Sequence, residues 1–123
     1  MAAVFSSDAY FADVFGNVEL GRASIASLLG AQHRTFLKNS ILKVRLDHAM
    51  DLVDLKIKIV LEEWDVDLIN MSGKDGSPLA PLSMRVSVVW RYDDQLKGWY
   101  VQVATCAAPY AIAGYHAPPS LSR

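Results

Sequence analysis

Asp8-Ala9-Tyr10-Phe11-Ala12-Asp13-Val14-Phe15-Gly16-Asn17-Val18-Glu19-Leu20-Gly21-Arg22 is the stretch on which the reading of this chain turns. A short aromatic run carries one carboxylate, Asp13, breaks at Gly16-Asn17 and meets Gly21-Arg22 ahead of an amphipathic segment. In a strand, residues i and i+2 point to the same side. Read as a strand, the run sets Asp13 between the rings of Phe11 and Phe15. On an enclosed face such a carboxylate is a candidate proton acceptor. On a wet face it is an ordinary strand-end acid that bonds its own turn.

Working outward, residues 22–38 read as a helix. Ile25, Leu28, Leu29, Gln32 and Phe36 recur at i, i+3, i+4, i+7 and i+11, one mainly apolar stripe. From residue 41 the period shifts to two, with Val44, Leu46 and His48 alternating against Lys43, Arg45 and Asp47. Asp51 and Asp54 mark a turn, and a long strand follows over residues 55–69. Its early part sets Leu55, Ile57, Ile59 and Leu61 against Lys56 and Lys58. The alternation then inverts, with Trp64 and Val66 opposite Glu63, Asp65 and Asp67. Such an inversion predicts a bulge or a bend in the sheet, because one extra residue moves all later side chains to the other face. A loop rich in turn residues leads to a strand at 85–92, a hairpin loop at 93–98 and a last strand at 99–106. One early helix and several hairpin-linked strands make this an α+β fold with an antiparallel sheet.

At 123 residues the chain is one domain, and 52% hydrophobic residues is a high fraction for its size. That excess points to an apolar cavity or a covered oligomer face. The net charge of −1, from 12 basic and 13 acidic residues, gives no electrostatic footprint for nucleic acid. No run reaches membrane-spanning length, and the first residues lack the basic and apolar regions of a signal peptide, so no membrane partner and a cytoplasmic location are expected. Cys106 is the single cysteine, which excludes an intrachain disulfide and fits a reducing compartment; it reads as a small apolar residue of the last strand. His33, His48 and His116 share no ligand spacing, so neither a metal nor a cofactor is expected. Glu62, Glu63, Asp65 and Asp67 read as a solvated acidic strand end that guards against strand pairing.

The aspartate–alanine pair at 8–9, the strand ending in Asp13-x-x-Gly16, Gly21-Arg22 and the helix after it resemble the nuclear transport factor 2 (NTF2)-like superfamily. That group includes ketosteroid isomerase, SnoaL-type polyketide cyclases and SgcJ/EcaC-like proteins. Trp64 late in a long strand, the Gly/Pro turn at 73–81 and Gly98-Trp99 continue the likeness, over roughly residues 4–109. The resemblance implies a cone, with a curved antiparallel sheet packed against a helix and an apolar pocket between them. It divides the chain into a single domain, 1–109, and a C-terminal tail, 110–123.

In the register of ketosteroid isomerase, Asp13 falls on the carboxylate that moves protons. Phe11 and Phe15, then Leu28, Leu29 and Gln32, then Val88, Trp90, Gln102 and Ala104 fall on the pocket wall. Ketosteroid isomerase pairs its aspartate base with an oxyanion hole made by a tyrosine and a second, protonated acid. Here the corresponding tyrosine would lie on a first helix expected before the point where this sequence starts, and the second acid falls near the apolar Val88. The steroid reaction is therefore not carried over. The resemblance implies a small hydrophobic organic ligand and a cofactor-independent cyclase or isomerase step with Asp13 as base. The rival is a non-catalytic ligand-binding or oligomerisation module. On that expectation the apolar sheet is covered by a second protomer or by the tail at 109–123, or else the sequence starts late. A homodimer through the sheet is expected, since both faces look apolar at 99–106: Trp99, Val101 and Val103 against Tyr100, Ala104 and Cys106.

Overall fold

The computed structural model describes residues 4–35, 38, 41–67, 76 and 82–107. Phe36, Ile69, most of the 71–81 turn and the 110–123 tail lie outside the described residues. The elements are β1 (Phe5–Ala12), β2 (Val18–Leu20), α1 (Arg22–Arg34), β3 (Ile41–Leu52), β4 (Ile57–Asp67), β5 (Leu82–Asp93) and β6 (Gly98–Ala107). They build one six-stranded sheet in the order β2-β1-β6-β5-β4-β3, with α1 packed on β1 and β2. The α+β expectation holds. The sheet is mixed rather than wholly antiparallel, because β1 lies parallel to β6. Parallel neighbours need a long crossover, and the whole chain between the two strands supplies it.

Helix α1 starts where glycine is required. Gly21 has φ 88°, donates its N–H to the Ala9 carbonyl at 2.7 Å and accepts the first helical bond from Ile25 N at 3.0 Å. A Cβ there would stand in a left-handed conformation and 3.4 Å from the Ser7 carbonyl oxygen. The helix ends at Arg34, short of the predicted residue 38. Thr35 closes it, donating its hydroxyl to the Ala31 carbonyl at 2.7 Å and its N–H to that of Gln32 at 3.2 Å. Ile25, Leu28 and Gln32 of the predicted stripe are its buried residues, and Leu29 is half-buried.

The rungs of the ladder sort the sheet into two faces, because directly paired residues on neighbouring strands point the same way. Val60, Val88, Ala104 and Phe11 share one rung on the helix side. Met50, Ile59, Val89 and Val103 share one on the opposite, open side. Phe5, Phe11, Ile25, Leu28, Val66, Val101 and Ala104 form the core on the helix side.

Irregular pairing bends this sheet, and its location corrects two expectations. Pairing slips between Val44 and Leu46, opposite the uninterrupted Glu63–Trp64 step, so the extra residue lies in β3. β4 runs against β5 without any slip. The inversion in β4 is therefore not a bulge in that strand; its apolar residues change sides. Ile57, Ile59 and Leu61 lie on the open face, and Trp64 and Val66 on the helix face. Val44 likewise falls on the helix-side rung of Trp64, whereas His48 falls on the open-side rung of Leu61. In β6 a second slip sets Val89 against Val103 and Trp90 against Val101, leaving Gln102 as the extra residue. Val101 and Val103 thus point to opposite faces, against the strict alternation expected at 99–106.

Candidate functional site

Asp13 stands just past the end of β1, where Ala12 pairs with Thr105. Its carboxylate organises the turn that follows. Oδ1 accepts from Phe15 N and Asn17 N, both at 2.9 Å, and Oδ2 accepts from Asn17 Nδ2 at 2.7 Å and Gln32 Nε2 at 2.8 Å. A carboxylate has about four lone-pair sites, and all are taken. Asn17 and Gln32 are buried, so this acid is what satisfies their amides. Phe15 is consequently a turn residue and not a strand neighbour of Asp13. The expected carboxylate between two rings on one strand face is corrected: the Asx-type turn takes over where that strand would have continued.

The remaining predicted wall residues fall in two places. Phe11, Leu28, Gln32 and Ala104 are buried on the helix side, and Phe15, Leu29, Val88 and Trp90 pack against that core half-buried. Gln102 belongs elsewhere. At the bulge of β6 its Nε2 donates to Asp8 Oδ1 at 3.2 Å, and its Oε1 accepts from the Ser6 hydroxyl at 3.2 Å. Those bonds tie the irregular part of β1 to the irregular part of β6; the Gln102 bond, and after it a second bond from the Ser6 hydroxyl to Asp8 Oδ1 at 3.2 Å, hold the Asp8 carboxyl below the usual carboxylate range.

One helix-side residue escaped the sequence reading. Glu62 shares its face with Trp64, whose indole Nε1 donates to Glu62 Oε2 at 3.1 Å. The acids after it point away: Glu63 pairs with Arg85 at 3.7 Å, and Asp65 accepts from the Ser83 hydroxyl at 2.8 Å. The four acids looked like one solvated edge. The signal was present in the inversion itself, since Glu62 has the parity of Trp64 and Val66.

No protein-family model matches the sequence, and no curated protein matches it. Solved structures do. An uncharacterised cystatin-like protein of Caulobacter vibrioides superposes with a TM-score of 0.73 at 15% identity, covering 89% of this chain and 73% of that one. An NTF2-like protein of unknown function from Pseudomonas putida KT2440 gives 0.72 at 11% identity, with 90% and 72% covered. A structure from Thiobacillus denitrificans, described as a calcium/calmodulin-dependent protein kinase type II association domain by assignment, gives 0.69 at 17%, with 89% and 80% covered. This chain has the NTF2-like, cystatin-like fold.

Within that NTF2-like sheet the last strand brings Cys106 beside Asp13. Burial, and after it the charge of Asp13, push the Cys106 thiol up to about 12. Thiolate is the nucleophilic form, so this cysteine is a packing residue. No helix among the described residues is long and apolar enough to cross a membrane.

Proposed function

We propose that this NTF2-like chain binds a small apolar organic molecule on the helix side of its sheet and does so as a homodimer built through the open side. The first half rests on the composition of the helix face. A mostly apolar wall (Phe11, Leu28, Val88, Trp90, Ala104) carries a few placed polar groups, Gln32 and Glu62 among them, as small-molecule sites do. The second half rests on the open face. The rung of Met50, Ile59, Val89 and Val103 is apolar across four strands, and Met50, Leu52 and Leu61 on that side are 40%, 43% and 36% exposed. Apolar area of this kind on a small domain is usually covered.

In this reading residues 1–109 are the binding unit, 110–123 its tail, and the single thiol fits a reducing, cytoplasmic setting. The binding-module form is preferred to a cyclase or isomerase with Asp13 as base. A base needs a lone pair aimed at the substrate, and each of Asp13's already has a donor. Native mass spectrometry of the purified protein tests both halves, with a dimer carrying a bound small molecule as the expected species. Ligand-free monomer at micromolar concentration would refute the reading. Turnover abolished by Asp13→Asn in a variant that stays folded would restore the enzymatic one.

A further inference from the structure

Among the described residues, the helix face contains a carboxylate, Glu62, that is paired with no cation. Glu62 is half-buried, and among the described residues its only side-chain partner is the Trp64 indole on Oε2. Its rung across the sheet is Asp47, Glu62, Val86 and Cys106, with no basic residue in it. Val86 beside it is 4% exposed. The nearest cation along the same side of β4, Lys58, is four residues away, about 13 Å at strand rise. Its ammonium lies over the Trp99 ring at 5.2 Å and 3.9 Å from Asp51. Between the two stands the apolar rung of Val60, Val88, Ala104 and Phe11.

A partly buried carboxylate without a cation is costly. Such residues persist where a bound group completes them. Resting on the helix-side binding site proposed above, we infer that Glu62 is the anchor of that site and that its ligand is a small apolar molecule bearing a protonated amine. The free Oε1 receives the ammonium in a charge-assisted hydrogen bond. The Trp64 indole fixes Oε2 and offers an aromatic wall beside the cation. Val60 and Val88 receive the apolar body.

The test compares 2-phenylethylamine with 2-phenylethanol, which differ only in the charged donor, by calorimetry at fixed salt. The amine is expected to bind at least tenfold more tightly than the alcohol, and Glu62→Gln to erase that preference. Equal affinity for the two in wild-type protein, or a preference that survives Glu62→Gln, overturns the assignment of Glu62 while leaving the helix-side site standing. Failure of wild-type protein to bind either compound overturns that site and this inference together. The Trp64 indole N–H resonance gives a readout that needs no variant. It is expected to move on titration with the amine and not with the alcohol, and an indole signal indifferent to the amine counts against the proposal.

Discussion

Asp13 and Glu62 are both carboxylates on the helix side of one sheet, three strands apart, about 14 Å at ordinary strand spacing. Their surroundings differ in kind. Asp13 accepts four hydrogen bonds and in return satisfies two buried amides, so it is part of the framework. Glu62 accepts one, from Trp64, and lies on a rung without a base. Cys106 belongs to both regions, on Glu62's rung and next to Asp13. A place on the apolar helix face does not make an acid reactive; unused lone pairs do.

The largest expected effect concerns how dry the Asp13 end is. With its thiol pushed from 9.0 to about 12, Cys106 in the folded protein should react with iodoacetamide about a thousandfold more slowly at pH 8 than in urea-unfolded protein. The sign for stability follows from a raised folded value: the contribution is complete below pH 9 and is lost as pH rises toward 12, where only the unfolded chain readily ionises. Rapid labelling of native protein would put water, and therefore a ligand path, at the Asp13 end.

Next comes the framework itself. Asp13→Ala strands the amides of Asn17 and Gln32, which are 7% and 4% exposed, without their acceptor. Buried donors left unmade cost roughly 1–3 kcal/mol each. A loss of roughly 2–6 kcal/mol in urea unfolding is expected, with collapse of the 13–17 turn. A cost under about 1 kcal/mol would mean that Asp13 is not the post of that turn and would reopen its candidacy as a base.

The difference between these two acids also marks how far the sequence was legible. Helix α1 was readable because Ile25, Leu28 and Gln32 repeat at the helical period, and the β5–β6 hairpin because Asp93 and Gly98 bracket two alternating runs. Asp93 indeed closes that loop, its Oδ1 accepting from Gln95 N and Leu96 N at 2.9 Å each. Pairing partners were not readable. A parallel β1–β6 contact joins the two ends of the fold, and no local pattern encodes it. The slips at Val44–Leu46 and at Gln102 depend on a neighbouring strand, so the ketosteroid isomerase register sets Gln102 on the pocket wall and period-two counting mixes the faces at 99–106. Asp13 was placed correctly at the end of β1 but given the wrong neighbours, since a strand and an Asx turn share the same residues up to that point. Acidic runs are ordinarily solvated, which hides Glu62; its parity with Trp64 and Val66 is the one sequence signal that separates it from Glu63 and Asp65, and the unbroken β4–β5 register bears that parity out.

A smaller effect comes from removing Glu62's charge without a ligand present. Replacing an uncompensated, partly buried carboxylate by an isosteric amide keeps the Trp64 bond and removes a desolvation cost. Glu62→Gln is expected to leave the urea midpoint unchanged or raise it by less than about 1 kcal/mol equivalent, the behaviour of a residue held for function at some expense of stability. A loss above about 2 kcal/mol would instead make Glu62 a second structural post, and the contrast with Asp13 would disappear.

The smallest effect belongs to a third carboxylate, which sets the scale for the other two. Asp8 is bonded by Gln102 and Ser6 but sits in open solvent, so its partners lower its proton affinity without burying it. A depressed folded value contributes stability that is present above the unfolded value of 3.8 and disappears as pH falls through the lower folded one. Asp8→Asn should therefore change nothing resolvable in how stability varies between neutral pH and about pH 5, and should flatten the acid limb below pH 3.8. Solvent screens an exposed group of this kind, so the flattening will be slight. If it instead equalled the loss from Asp13→Ala, the bond between the β1 and β6 irregularities would be holding the sheet's parallel pair together, and the distinction between framework and surface acids would have to be redrawn around Gln102.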